Sequence, residues 1–248
     1  MPFSLSIAAI ADDFPDFRVG VVVAEGLTIA PARAESLEKL IREREIAARA
    51  HWSGYELARI PGIAAWRSAY KAFGVKQTRY RSSVERLLKN VLAGRDLPRV
   101  NAFVDLYNAV SLTHVLPLGA DDLDRIAPPL AFRPAHDGDS FVDMASGTAD
   151  EAGDGGENGG AANEAESPKP GEIVYADADK VLCRRWNWRQ DARSLIGLET
   201  TRAVVTLQAN GWGDLDAAVH DLADLIVRYC GGECRIGFAD AARRSTVV

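Results

Sequence analysis

Apolar residues recur along the chain in two rhythms, and each change of rhythm marks an element. Phe3–Ile10 and Phe17–Ala24 read as strands, the second carrying the β-branched run Val19, Val21, Val22 and Val23. Leu37, Leu40, Ile41 and Ala48 recur at helical spacing among charges and predict a helix over Glu35–Ala50. Trp66–Phe73 predicts a short helix stopped by Gly74. Ser82 and Glu85 form a Ser-x-x-Glu capping box ahead of Leu87, Leu88 and Val91, so a helix starts there and ends at Gly94. Phe103, Val104, Leu106, Tyr107, Val110 and Leu112 predict a helix over Asn101–Leu116, closed by Pro117. Short strands follow at Leu130–Arg133, Ser140–Val142, Glu172–Tyr175, Lys180–Arg184 and Arg202–Gln208. Asp214 caps a last helix with the stripe Leu215, Val219, Leu222 and Ile226, ended by Gly231-Gly232, and Arg235–Phe238 adds an edge strand. Helices and strands are mixed and unevenly grouped. That predicts an α+β fold, a mixed or antiparallel sheet packed with helices, rather than a parallel α/β sheet.

Charge changes this picture in two places. The chain of 248 residues carries a net charge of −6. Trp66–Arg99 nevertheless holds nine Lys and Arg against only Glu85 and Asp96. A cationic segment in an acidic chain points to an anionic partner, and nucleic acid is the commonest large anion in a cell. The acidity resides in an insert, Ser146–Pro170, which has six carboxylates and one lysine among Gly and Ala. With no apolar periodicity it cannot bury enough surface to offset chain entropy, so it is expected to be a disordered loop within a single domain over residues 1–248. Its functional alternative is an acidic arm that shields the basic segment.

Several classes fall away. No stretch approaches the roughly 20 apolar residues of a membrane span. Met1–Phe17 lacks a basic start and turns acidic at Asp12 and Asp13, unlike a signal peptide. Cys183, Cys230 and Cys234 are too few and too odd in number for a disulfide framework, which fits a reducing cytoplasm. Cys230-Gly-Gly-Glu-Cys234 lacks the second cluster a structural zinc needs, so neither metal nor cofactor is expected. No Walker loop, dinucleotide fingerprint or Ser/His/Asp spacing is present.

The segments AFGV, RYRSSVERLLKNVLAG, LPRVNAFVDLYNAVSLTHVLPLGADDLDRI and GEIVYADADKVLCRRWNWRQD, followed by a strand after Thr200-Thr201, occur in an order that resembles the B3/B4 domain. That domain is the editing and tRNA-binding module of phenylalanyl-tRNA synthetase β subunits and also occurs free-standing. The likeness runs from about Trp66 to Asn210 without the insert. It implies a site for the 3′ end of a mischarged tRNA, where the aminoacyl ester is hydrolysed. Such a second site is needed because a synthetic pocket cannot strongly reject a near-isostere. The chain departs from the family at two positions. Gly119 stands where the synthetase form has a histidine, and Arg202–Gln208 holds no carboxylate, Glu199 being the nearest.

The remaining polar residues supply candidates. Asn101, Asp105 and Asn108 share one helix face, with Asp105 and Asn108 the catalytic expectation and Asn101 either substrate-binding or an N-cap. Arg185, Asn187 and Arg189 alternate with Trp186 and Trp188. On an extended strand they form one polar face suited to a phosphate or an α-carboxylate. Arg79, Arg81, Arg86 and Lys89 surround a capped helix start and are the RNA-binding expectation. His114 at a helix end is an alternative base. Three functions follow: a trans-editing aminoacyl-tRNA deacylase, a non-catalytic tRNA or RNA binder, and an amino-acid-binding protein that reuses the pocket.

Overall fold

A computed structural model describes residues 3–75, 80–144 and 168–248. Arg79 and residues 146–167 of the acidic insert lie outside the described residues. The described residues form five α-helices: α1 Glu35–Trp52, α2 Pro61–Ala72, α3 Ser83–Leu92, α4 Ala102–His114 and α5 Leu215–Cys230. They also form ten strands: β1 Ser4–Ser6, β2 Phe17–Glu25, β3 Leu118–Asp122, β4 Leu130–Pro134, β5 Ile173–Ala176, β6 Val181–Arg184, β7 Arg189–Gln190, β8 Arg202–Asn210, β9 Glu233–Ala239 and β10 Ser245–Val247. The fold class is α+β, as the uneven grouping predicts.

The strands make two sheets. One runs β10-β1-β4-β5-β6-β7 and is mixed, because β1 pairs parallel with β4 and the other pairs are antiparallel. The other, β3-β8-β2-β9, is antiparallel throughout. Strand alternation divides β8 between two cores. Ala203, Val205, Leu207 and Ala209 pack with α1, α3, α4 and α5 on one face of the four-stranded sheet. Val204, with Val19, Val21 and Val23 of β2, packs against Leu5, Leu130, Phe132 and Tyr175 of the other sheet. Helix α2 serves both cores, with Ile63 in the first and Trp66, Ala69 and Tyr70 in the second. Each fully buried aliphatic side chain contributes about 1.5–3 kcal/mol. Leu106→Ala in the helical core is therefore expected to cost about 2–5 kcal/mol.

Three sequence expectations are corrected. The strand expected over Phe3–Ile10 is only β1, because the chain turns after Ser6 through Ile10 N–H to Ile7 C=O and Phe14 N–H to Ile10 C=O. Ser140–Val142 forms no strand, and the neighbouring contact is a single bridge from Asp143 to Asp191. Helix α2 begins at Pro61 rather than Trp66, since a proline fits the first helical turn without losing a bond. Strand β3, which sequence periodicity missed, follows a left-handed Val115 (φ 51°) that ends α4 and turns the chain onto the edge of β8.

Candidate functional site

The layer between the two sheets is apolar on one side and polar on the other. Cross-strand partners share a face. Gly119 and Asp121 of β3 lie opposite Thr206 and Val204 of β8, and Gln208 follows on that face. In the facing sheet, Tyr175 lies opposite both Phe132 and Cys183, and Cys183 lies opposite Gln190. Asp121 is 2% exposed. Its Oδ1 accepts hydrogen bonds from Ser194 Oγ at 2.6 Å and Gln190 Nε2 at 3.0 Å. Gln190 also donates to the Ala120 carbonyl, which pins its amide. Oδ2 receives no hydrogen bond from the described residues. Burial pushes the Asp121 carboxyl up to about 7, against the lowering effect of Ser194 and Gln190. A Cβ built on Gly119, two residues earlier on the same face, meets nothing within 4 Å. Gly119, Gln190 and Cys183 are half-buried while Asp121, Thr206, Gln208 and Tyr175 are buried, so the polar groups form a cluster that reaches the surface at Gly119.

Beside this polar cluster the chain leaves β6 in a tight turn. Arg185 (φ 45°) and Trp186 (φ 67°) are consecutive left-handed residues, each strained for a side chain with a Cβ. Burial of Trp186 among Phe14, Phe17 and Trp66, and its N–H to the Ile173 carbonyl, hold the turn. Glu172 adds a second hold by accepting from the Arg185 N–H and the Arg184 guanidinium. The turn lays Arg185 over the Tyr80 ring (3.7 Å) and the Trp188 ring (4.5 Å). Arg189 also lies over Trp188, and Arg86 donates to the Trp188 carbonyl. Asn187 accepts from Tyr70 Oη at 2.8 Å and donates to Gln208 Oε1 at 3.0 Å, and Gln208 donates to Thr206 at 3.4 Å. This buried chain ties the turn to the polar face of β8.

A family model for the B3/4 domain matches residues 65–231, about two thirds of the chain. The chain belongs to the B3/4 domain family. No curated protein matches the sequence. A crystal structure of an N-terminal fragment of the phenylalanyl-tRNA synthetase β subunit from Pyrococcus horikoshii is similar over 93% of this chain, at 14% identity and a TM-score of 0.42. The present chain spans 50% of that one.

Within this B3/4 domain the expected site residues separate into two groups. Arg86, Arg185, Asn187 and Arg189 come together around Trp188. They do so on a turn and not on an extended strand, so the expected separation of Arg and Trp onto opposite faces is replaced by Arg–Trp stacking. Asn101 and Asp105 lie at the start of α4, where both are engaged. Asn101 caps the helix by accepting from the Val104 N–H at 2.9 Å. Asp105, 1% exposed, receives Arg33 Nε at 2.7 Å on one oxygen and the Val100 N–H at 2.9 Å on the other. Asn108 is half-buried with no hydrogen bond among the described residues. Arg81 pairs with the buried Glu85, which Arg67 also engages, and Lys89 is exposed.

The remaining candidates lie elsewhere. His114 sits 3.0 Å from Asp221, which Arg44 also grips with two bonds of 2.8 and 2.6 Å, so it braces α1, α4 and α5. Glu199 pairs with Arg125. Among the described residues no group of three or more His, Cys, Asp or Glu is disposed to hold a metal, and no helix is long and apolar enough to cross a membrane. Burial pushes the Cys230 and Cys234 thiols up to about 11, which suits inert thiols. Sequence reasoning missed Asp121, Gln190, Ser194 and Tyr175. The available signal was Gly119-Ala120-Asp121, a two-residue period next to the departure at Gly119.

Proposed function

We propose that this B3/4 domain binds the 3′ aminoacyl end of a tRNA at the polar cluster around Asp121 and hydrolyses the ester of a mischarged amino acid. The observation that carries this reading is Asp121, a buried carboxylate near neutrality with one oxygen fixed and the other open to a ligand. A general base works best when its pKa lies near the working pH. On this reading Asp121 Oδ2 takes a proton from a water as that water attacks the ester carbonyl. The tetrahedral intermediate then collapses, and the ribose hydroxyl leaves with the proton returned from Asp121. Ser194 and Gln190 orient the carboxylate. Arg86 and Arg189 hold backbone phosphate, with Arg185 and Asn187 fixing the turn that presents them, and Arg81 and Lys89 extend the cationic surface. Asp105 and Asn101 keep α4 in place.

Deacylation of a tRNA panel charged with different amino acids tests this. At least one mischarged tRNA is expected to lose its amino acid faster than in buffer, and Asp121→Asn is expected to slow that reaction by roughly 10²–10⁴-fold. If no member of the panel is cleared, the catalytic reading fails. Salt-sensitive RNA binding that depends on Arg86 and Arg189 would then support a non-catalytic binder, which the Arg–aromatic corner favours independently of Asp121.

A further inference from the structure

We propose that a groove at the end of the four-stranded sheet where β2 begins binds an organic cation, a guanidinium or ammonium group on an alkyl stem, with Trp212 as its seat and Asp16 and Asp240 as its counter-ions. The groove holds about 600 Å³ and is lined by Asp16, Arg18, Trp212 and Asp240, with Ala209 and Ala241. Sites for small ligands run from about 300 to 1,000 Å³. Three chain segments build it. Arg18 on β2 pairs with Ala209 on β8, and Val19 pairs with Ala239 on β9, so the segments before β2, after β8 and after β9 converge there. Ala209 lies further along β8 than Val204, the partner of Asp121, by about 17 Å of strand. The groove is therefore separate from the deacylation site proposed above.

Charge and shape set the class of ligand. Asp240 Oδ1 accepts the Ala242 and Arg243 N–H groups at 2.9 and 2.7 Å, which fixes the carboxylate on its turn. The neighbouring turn is fixed by the Gly211 N–H, which donates to the Asp16 carbonyl at 3.1 Å. Among the described residues neither Asp16 nor Asp240 has a cationic partner. Arg18, the one cation in the lining, is paired with Asp216 at 3.1 Å. The lining therefore keeps two unmatched carboxylates, which repel an anion and attract a cation. Trp212 is half-buried, and its six-membered ring rests on α2 at Gly62, where an added Cβ would come within 2.9 Å of Cε3 and Cζ3. An indole held in this way offers its face to a guanidinium or ammonium group, and the carboxylates favour that cation over a neutral ligand of the same shape.

A titration of the full chain, followed by its backbone and indole N–H NMR signals, tests this. The probes are agmatine, a Gly-Arg-Gly peptide capped at both ends, and the same peptide with citrulline, whose neutral urea copies the guanidinium shape. The signals of residues 211–213 and 240–242 are expected to move with the arginine peptide, with half-saturation at roughly 0.1–1 mM in about 50 mM salt and weaker binding as salt rises. The citrulline peptide is expected to bind about tenfold more weakly or not at all. Asp16→Asn combined with Asp240→Asn should weaken the arginine peptide about tenfold at an unchanged thermal midpoint, because asparagine keeps the oxygen that accepts in the Asp240 turn. Agmatine binding as tightly as the peptide identifies a free amine as the ligand, whereas binding of the peptide alone identifies an arginine presented by a protein. No movement of these signals with either cation up to about 10 mM overturns the proposal. So does equal binding of the citrulline peptide, or wild-type affinity in the folded double variant.

Discussion

Two buried aspartates on neighbouring elements differ in what surrounds them, and that difference decides what each can do. Asp105 meets a guanidinium and a backbone N–H, so its charge is matched within the fold. Removing one partner of a buried ion pair leaves the other uncompensated, at a cost of about 3–5 kcal/mol. Asp105→Ala is therefore expected to lower the unfolding free energy read from chemical denaturation by that margin through Arg33, rather than to give a stable, inactive protein. Asp121 meets only neutral donors, and burial holds its carboxyl up at about 7 against an ordinary value of 3.8. The folded state then binds the proton more tightly than the unfolded state does. Its contribution to stability is full below about pH 4 and is lost as pH rises towards 7. Asp121→Asn is thus expected to be more stable than wild type at pH 8 and indistinguishable at pH 3.5, measured by denaturant titration. On the proposed deacylase reading, activity is expected to run the other way, rising with pH through about 7 as Asp121 ionises. Asp221 has the opposite sign. Burial alone would raise it, but hydrogen bonds from His114 and Arg44 bring it down to about 2. The stability it contributes is present above pH 4 and is lost on acidification towards 2.

At the level of elements, the sequence was legible where one local rule governed and illegible where two distant stretches had to meet. Ser82 and Asn101 announced the starts of α3 and α4, and both accept the expected cap hydrogen bonds. The β-branched run of β2 and the stripe of α5 were equally direct. The turn at Arg185–Trp188 was not, because no glycine marks its left-handed residues. Local pattern favoured a strand there, and the tertiary contacts of Trp186 overrode it. The polar cluster around Asp121 was hidden for a related reason. Asp121 looks like an exposed loop residue until β3 pairs with β8 and the 190–194 segment closes over it. Trp186→Ala should therefore do more than leave a cavity. It is expected to destabilise the protein by about 3–5 kcal/mol, and it should release the turn so that RNA binding weakens as well. Circular dichroism melts and an RNA titration on the same preparation separate that joint loss from simple unfolding, since binding should fall even at temperatures where the variant stays folded.

Across the whole molecule the charges are segregated, and the chain path brings the two signs to one place. The described residues on either side of the acidic insert engage the arginines of the turn: Asp143 pairs with Arg189 at 2.9 Å, and Glu172 with Arg184 at 3.0 Å and Arg185 at 3.8 Å. The six carboxylates of the insert lie between Asp143 and Glu172 in sequence. Like charges tethered near a binding surface raise the local concentration of competing anion, and salt screens that effect beyond about 10 Å at 0.1 M. A chain with residues 146–167 replaced by a short Gly-Ser linker is expected to bind RNA more tightly at 50 mM salt, with the advantage shrinking by 300 mM. Arg86→Ala with Lys89→Ala should weaken binding in either background and flatten the salt dependence by about 0.7 per lost contact to single-stranded RNA. If the shortened chain binds no better at low salt, the insert does not compete for the arginine surface, and its charge serves solubility alone. If the double substitution leaves the salt slope unchanged, phosphate docks elsewhere, and the grouping of Arg86, Arg185 and Arg189 around Trp188 is a device for holding the strained turn.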